Sequence, residues 1–332
     1  TLMYVFNFEN NDGFSVIAAN RAVDPVLAVA EKGNYTYGEP TGVENFDFYM
    51  DAMAQSLAVI KPPKFDTIRT TPKFKTVEVN ESRSCDPLIP VRWGQRSPYG
   101  DYCSNGYSGC VATAIAQIMA YYRFPSSFTT TYTDAPHAGE TIALNWTSII
   151  SYPYVYQVPA LMREIGQRVE MTYHPIDEND METGSSAFSY MAPDCLISFG
   201  YSCASGLASY EIASIRTNLD ETHPVYVRAN DISEGGHAWI ADGYIYSRIG
   251  TEYYEEILID NGLTLYYDYI LTNSTVQTTN LVHYNWGWNG SCDGYFAPGD
   301  GVASGNGYIF NGLQMITSIP VSYTHLRAHE TS

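Results

Sequence analysis

The stretch SGCVATAIAQIMAYYRFP, residues 108–125, decides how this chain is read. Its apolar residues fall at Val111, Ile115, Ile118, Met119 and Tyr122, the spacing of one helix face, and Phe124-Pro125 supplies the stop. Cys110 therefore occupies the first turn of a predicted helix over 110–122. Unpartnered backbone N–H groups and the positive end of the helix dipole meet there and favour an anion, which lowers a thiol into the range of roughly 3.5 to 7.5. The competing reading is an inert thiol packed as a small hydrophobe.

Three further stretches bear on that choice. In EGGHAWIADGY, residues 234–244, His237 follows two glycines at the head of a predicted strand, where crowding is least and an imidazole can project over a cleft. A thiolate beside an imidazolium is what makes cysteine a nucleophile near neutral pH, although the histidine taken alone reads as a satisfied core residue. In HYNWGWNG, residues 283–290, Asn285 is placed to hold the second ring nitrogen, with Trp286 or Trp288 shielding that bond from water. In RWGQRSPYG, residues 92–100, Gln95 precedes Cys110 by 15 residues, and its amide can join the Cys110 N–H in stabilising an oxyanion. Each has a dull explanation singly. The order Gln, Cys at a helix start, His at a strand start, then Asn-Trp-Gly is hard to reach by accident.

Working outward, residues 44–60 place Phe46, Met50, Met53 and Leu57 on one helix face, and the N-terminal TLMYVFNFENNDGFSVIAAN reads as two strands around an Asn-Asp-Gly turn. Together they make a small unit of 60 residues. The segment 61–84 follows, with three prolines and six of the 17 basic residues, whereas no lysine occurs between Cys85 and Pro320. It reads either as an exposed, protease-sensitive linker between two pieces or as an ordinary basic loop. Beyond the cysteine helix, further helices are predicted over 158–171 and 209–221, and strands dominate from Pro224 onward. Helices first and strands later indicate an α+β arrangement. The end of the chain, 321–332, fits nothing before it. Its His325 and His329 stand four apart, but SYTHLRAHETS resembles translated vector sequence and is left out of the fold.

The formal charge is −19, with 36 acidic against 17 basic residues, which repels nucleic acid and anionic membrane surfaces. No run of apolar residues is long enough to span a membrane, and the first residues read as the inside of a fold, so that a signal peptide would have been removed or not captured. The six cysteines match no CxxC metal or redox pattern; with one kept free for chemistry, at most two disulfides can form. Metal and serine chemistry find little support. There is no HExxH, and GYSGC puts Cys110 where GxSxG needs its second glycine.

WGQRSPYG, GCVATAIAQIMAYYRFP, GGHAWIADGY and HYNWGWNGSCDGYF together resemble the streptopain family of bacterial cysteine peptidases, relatives of papain, over 85–318. NDGFSVIAANRAVDPVLAVAEKGNY resembles that family's inhibitory propeptide. The resemblance implies a papain-like fold, with a helical subdomain carrying the cysteine and an antiparallel sheet carrying the histidine, preceded by a small α+β propeptide. It implies a propeptide over 1–60, a processing region over 61–84 and a catalytic domain over 85–320. It assigns Cys110 as nucleophile, His237 as general acid/base, Gln95 to the oxyanion hole, Asn285 and Trp286 to support of the histidine, and Ser185 in ETGSSAF with Gly236 to substrate binding.

Two departures stand out. HPIDENDM, residues 174–181, lacks the small residues expected beside Ser185, and 48 positions separate His237 from Asn285, pointing to an inserted tyrosine-rich strand pair over 245–282. The expected activity is a bacterial endopeptidase made as a zymogen, secreted or held at the cell surface or in the periplasm, acting on proteins or peptides, inhibited by its own propeptide, and using no metal or organic cofactor. The rivals are a Cys-His acyl transferase or amidase and an inactive binding scaffold.

Overall fold

A computed structural model describes residues 1–20, 23–60, 73–175, 184–203, 206–230, 236–260, 265–298 and 311–320. The 321–332 tail with its two histidines lies outside them.

At the N-terminus, β1 (Met3–Asn7) and β2 (Phe14–Ala18) pair antiparallel with Tyr4 opposite Ile17, turning through Asn10 and Asn11 at positive φ, and β3 (Val26–Ala30) adds to β2. Helix α1 (Glu44–Val59) buries Phe46, Met50, Met53 and Leu57, the face its spacing predicts, together with Tyr49. Strand β4 (Phe74–Cys85) follows. Helix α2 (Cys110–Tyr122) begins at the predicted residue. The short β5 (Ser127–Thr129) and β6 (Thr141–Ala143) pair with each other, followed by α3 (Trp146–Ser151) and α4 (Gln157–Arg168). A second small pair, β7 (Thr172–Tyr173) and β8 (Ser185–Ser186), leads to α5 (Ala192–Ser198), β9 (Ala208–Ser209) and α6 (Ile212–Asp220). The remaining strands are β10 (Val225–Asn230), β11 (Gly236–Asp260), β12 (Leu265–Ser274), β13 (Gln277–Asn285), β14 (Gly294–Phe296) and β15 (Asn311–Ile316).

One 11-stranded sheet runs β1-β2-β3-β14-β13-β11-β10-β15-β9, with β4 and β12 also on β11. Alternation along the central strands sends Tyr226, Ala238, Ile240 and Ile316 into a core with α2, α4 and α5, and Val225, Val227, Trp239 and Ala241 into a second core with α1 and α6. The N-terminal unit is thus joined to the rest through its sheet as well as its helix. Phe296 pairs with Ala28 and Gly294 with Ala30, and a Cβ on Gly294 would fall 2.2 Å from the Val29 carbonyl oxygen, so glycine permits this approach.

The second half of the stretch expected as a linker forms a strand. Residues 74–85 pair with β11 without a register break, from Phe74 opposite Glu255 to Cys85 opposite Tyr244. Most of β4's side chains are exposed, so no hydrophobic alternation marks it and the prolines and lysines around it dominate its composition. Residues 61–72 lie outside the described residues.

The expected strand pair over 245–282 is part of a longer feature. Strand β11 continues unbroken for 25 residues and carries β4 and β12 on opposite edges beyond β10 and β13. All six cysteines are free thiols. Among the described residues, no helix is long and apolar enough to cross a membrane.

Candidate active site

The nucleophile candidate is held by its neighbours' backbone. Gly109 caps α2 at φ 83°, ψ 150°, a conformation open in practice only to glycine. A Cβ there would lie 2.8 Å from Met171 Cε and 3.3 Å from Ser185 Cβ. Gly109→Ala is therefore expected to lower stability by about 1–3 kcal/mol and to cut activity, measured by thermal unfolding and peptide hydrolysis; unchanged behaviour in both would contradict this account of the cap.

The approach to Gly109 is tied down in turn. Ser108 donates from N (2.9 Å) and Oγ (3.3 Å) to the Gln95 carbonyl, and Thr113 Oγ1 donates to the Gly109 carbonyl at 3.0 Å. Ser185 Oγ donates to the Tyr107 carbonyl at 2.8 Å and accepts from Asn105 Nδ2 at 3.0 Å. Gln95, buried, and Ser185 are thus brought against the loop that carries Cys110.

The half-buried Cys110 side chain packs against the core of α2, Tyr226 and Ala238, and the backbone N–H groups of Ala238 and of the start of α2 favour its anionic form. Burial nevertheless pushes the thiol above the ordinary cysteine range, and Glu44 in the first turn of α1 pushes it further. This reverses the expectation of a lowered value: the helix end acts in the predicted direction, but the surrounding core removes water and Glu44 of α1 adds a negative charge. Asn45, fully buried, donates from Nδ2 to the carbonyls of Ala238 at 2.9 Å and Trp286 at 3.3 Å. The N-termini of α1 and α2 therefore meet where β11 starts and β13 ends.

His237 is the second residue of β11 and shares the parity of Trp239 and Ala241, the face covered by α1, where its ring lies 5.7 Å from that of Phe48. The sulfur packs on the opposite, α2 face. Gly236 pairs with Asn230 at the strand's first position. The structure thus brings His237 to the edge of the site but turns its ring toward the N-terminal unit.

Asn285 is committed elsewhere than expected. Its Oδ1 accepts from Gln117 Nε2 (3.0 Å) and the Gly287 N–H (3.1 Å), which uses both lone pairs, and its Nδ2 donates to the Val91 carbonyl at 3.0 Å. It ties β13 to α2 rather than accepting from the imidazole. Gln117 also accepts from the Trp93 N–H at 2.9 Å. Sequence reasoning missed it, though a glutamine inside the apolar run of α2 was the available signal. Trp286 is fully buried, donates to the Cys292 carbonyl at 2.9 Å, and packs against Phe46, Tyr49, Trp239 and Phe296. The indole Nε1 of partly buried Trp288 is shielded without a partner among the described residues.

A second polar contact joins the N-terminal unit to the remainder. Glu31 bonds Arg92 and lies 3.6 Å from His283 Nε2, whose Nδ1 is 2.6 Å from Asp242. Burial would lower His283, but Asp242 raises it, and burial pushes neighbouring Asp293 up to about 7.

Cys110 thus opens α2 and His237 heads β11, with the ring of His237 against Phe48 of α1. Residues 93–296 match the model of the Peptidase C10 family, and residues 1–57 match that of the Spi protease inhibitor. The chain belongs to the Peptidase C10 family. It is 24% identical to streptopain of Streptococcus pyogenes, across 94% of this chain and 79% of streptopain. It is 25% identical to the thiol protease/hemagglutinin PrtT of Porphyromonas gingivalis, across 92% of this chain and 35% of PrtT. A solved fragment of prointerpain A from Prevotella intermedia has the same fold, with a TM-score of 0.59 at 21% identity over 96% of this chain and 99% of that fragment.

Proposed function

We propose that this cysteine peptidase is the precursor of a secreted endopeptidase in which Cys110 is the nucleophile, His237 the general acid/base, and residues 1–60 an intramolecular inhibitor. The observation that carries the reading is that Cys110, in the first turn of α2, packs against the core cluster that holds Ala238, the neighbour of His237 at the head of β11. The residue next to His237 shares a core with the nucleophile, and in a strand a one-residue adjustment exchanges the faces that side chains occupy. Departure of α1, with Asn45 and Phe48, frees the start of β11 to turn the imidazole toward the sulfur.

The chemistry then follows from this chain's groups. His237 takes the thiol proton and the thiolate attacks a peptide carbonyl. The oxyanion is met by the Cys110 N–H and the Gln95 amide. The imidazolium protonates the leaving amine and then activates water for deacylation. Ser185 and Gly236 flank the cleft as backbone contacts for an extended peptide, while Asn285 and Trp286 hold the β13 wall. The substrates are proteins or peptides; the charge of −19 disfavours nucleic acid.

Limited trypsin treatment tests the inhibitory role. A tethered inhibitor acts at high effective concentration, and cutting its tether dilutes it, so hydrolysis is expected to rise as cuts accumulate. Because β4 is held in a ladder from Phe74 onward, N-terminal sequencing is expected to find the first cuts upstream of Phe74, leaving β4 on the active enzyme. Equal rates before and after cleavage would remove the inhibitor, and early cuts within 74–84 would remove the assignment of β4 to the mature chain.

A further inference from the structure

Arg228 sits in the middle of β10, paired in register with Ala238 on β11 and with Gln314 on β15. Its partner Ala238 lies in the core cluster against which Cys110 packs. On the other side, Nη1 donates to Gln314 Oε1 at 3.1 Å. Alternation puts the half-buried Arg228 side chain on the face of Tyr226 and Ala238, the face that packs against α2 and Cys110. Tyr226, fully buried, is anchored to Ser189 at 2.8 Å and feels both Cys110 and Arg228.

The groups that bear on Cys110 in the intact chain are Glu44 from α1, Tyr226 and Arg228 from β10, and the first N–H groups of α2 itself, while His237 of β11 faces α1. Burial pulls the guanidinium below its ordinary range, and negative charge on Tyr226 or Cys110 pulls it back. Of those two, Tyr226 is raised so far by burial that it stays neutral near pH 7, leaving the sulfur as the anion whose charge changes during catalysis. In the intact chain, burial and Glu44 outweigh Arg228 at the thiol. Glu44 belongs to α1 and leaves with it; Arg228 stays.

We propose that Arg228 is a positioning residue for the nucleophile: on the reading of Cys110 given above, its guanidinium supplies, together with the imidazole of His237, the positive field that keeps the sulfur ionised in the processed enzyme. An opposite charge within about 4–6 Å shifts a titrating group by about 1–3 units. The role is electrostatic and acts through the sulfur.

The test is the pH profile of Cys110 alkylation by iodoacetamide, read by mass spectrometry on the processed enzyme. Arg228→Gln is expected to move the half-rate pH up by about one unit and to lower kcat/KM at pH 7 by about two- to fivefold, with KM little changed. Arg228→Lys keeps the charge and is expected to stay within about 0.3 units of wild type. Gln314→Glu places a carboxylate where the guanidinium already donates, and is expected to shift the profile upward as Arg228→Gln does. It decides the matter if Arg228→Gln does not fold. A profile coincident with wild type, in Arg228→Gln or in its stead Gln314→Glu, overturns the assignment. Absence of preferential labelling at Cys110 in the processed wild type would instead overturn the nucleophile reading and, with it, this one.

Discussion

Cys110→Ala is expected to abolish peptide hydrolysis, with a loss on the order of 10⁴-fold or more, while the folded structure persists. The reasons are local. The side chain removed is small and only half-buried, and the bonds that form the turn before it run through Ser108, Gly109 and Thr113 rather than through the sulfur. The variant should melt within a few degrees of wild type and accumulate as the unprocessed chain where cleavage depends on its own activity. Casein hydrolysis and the mass of the incubated protein check both statements; residual activity near the wild-type level would move the chemistry to another residue.

The second large effect concerns how α1 silences that sulfur. In the intact chain every thiol is raised by burial: Cys103 to about 11, and Cys195, Cys203 and Cys292 to about 12, with Cys85 and Cys110 raised as well. Thiol reagents should therefore label the intact chain slowly and without preference. Removing α1 takes away Glu44 and, on the proposed reading, frees His237 to meet the sulfur, whereas the other five keep their surroundings apart from Cys292, which faces the N-terminal unit through Asp47 and Thr41. Each unit by which the thiol falls raises its ionised fraction about tenfold, so alkylation of Cys110 at pH 7 is expected to increase by about 10² or more on processing. In the intact chain, Glu44→Gln and Asn45→Ala should each recover part of that increase, Asn45→Ala by freeing the carbonyls of Ala238 and Trp286. Peptide-resolved labelling of intact and processed protein measures this, and equal labelling of all six cysteines after processing would contradict it.

What was legible in the sequence was whatever a single element declares about itself. The α2 helix announces its first residue, though it is buried all round rather than on one face, and α1 announces its buried face through Phe46, Met50, Met53 and Leu57. The histidine's strand is marked by its glycines. What stayed hidden depends on partners distant in sequence. β4 buries too little on either face to show alternation, and its existence follows from the edge that β11 offers. The roles of Asn45 and Gln117 cannot be seen without knowing that residues 193 and 168 positions away approach them. The direction of the thiol's shift was misread for the same reason. A helix end acts locally, but the burial and the Glu44 carboxylate that overrule it are supplied by another part of the chain.

One measurement bears most directly on whether a thiolate and an imidazolium form the working pair. The rate of Cys110 alkylation by iodoacetamide should be followed against pH in the processed wild type and in processed His237→Ala. The wild type is expected to reach half its limiting rate below about pH 7, and His237→Ala only above about pH 8, where an ordinary cysteine ionises. Superimposable profiles would show that the ring of His237 never meets the sulfur, and the account of this enzyme's chemistry would be wrong.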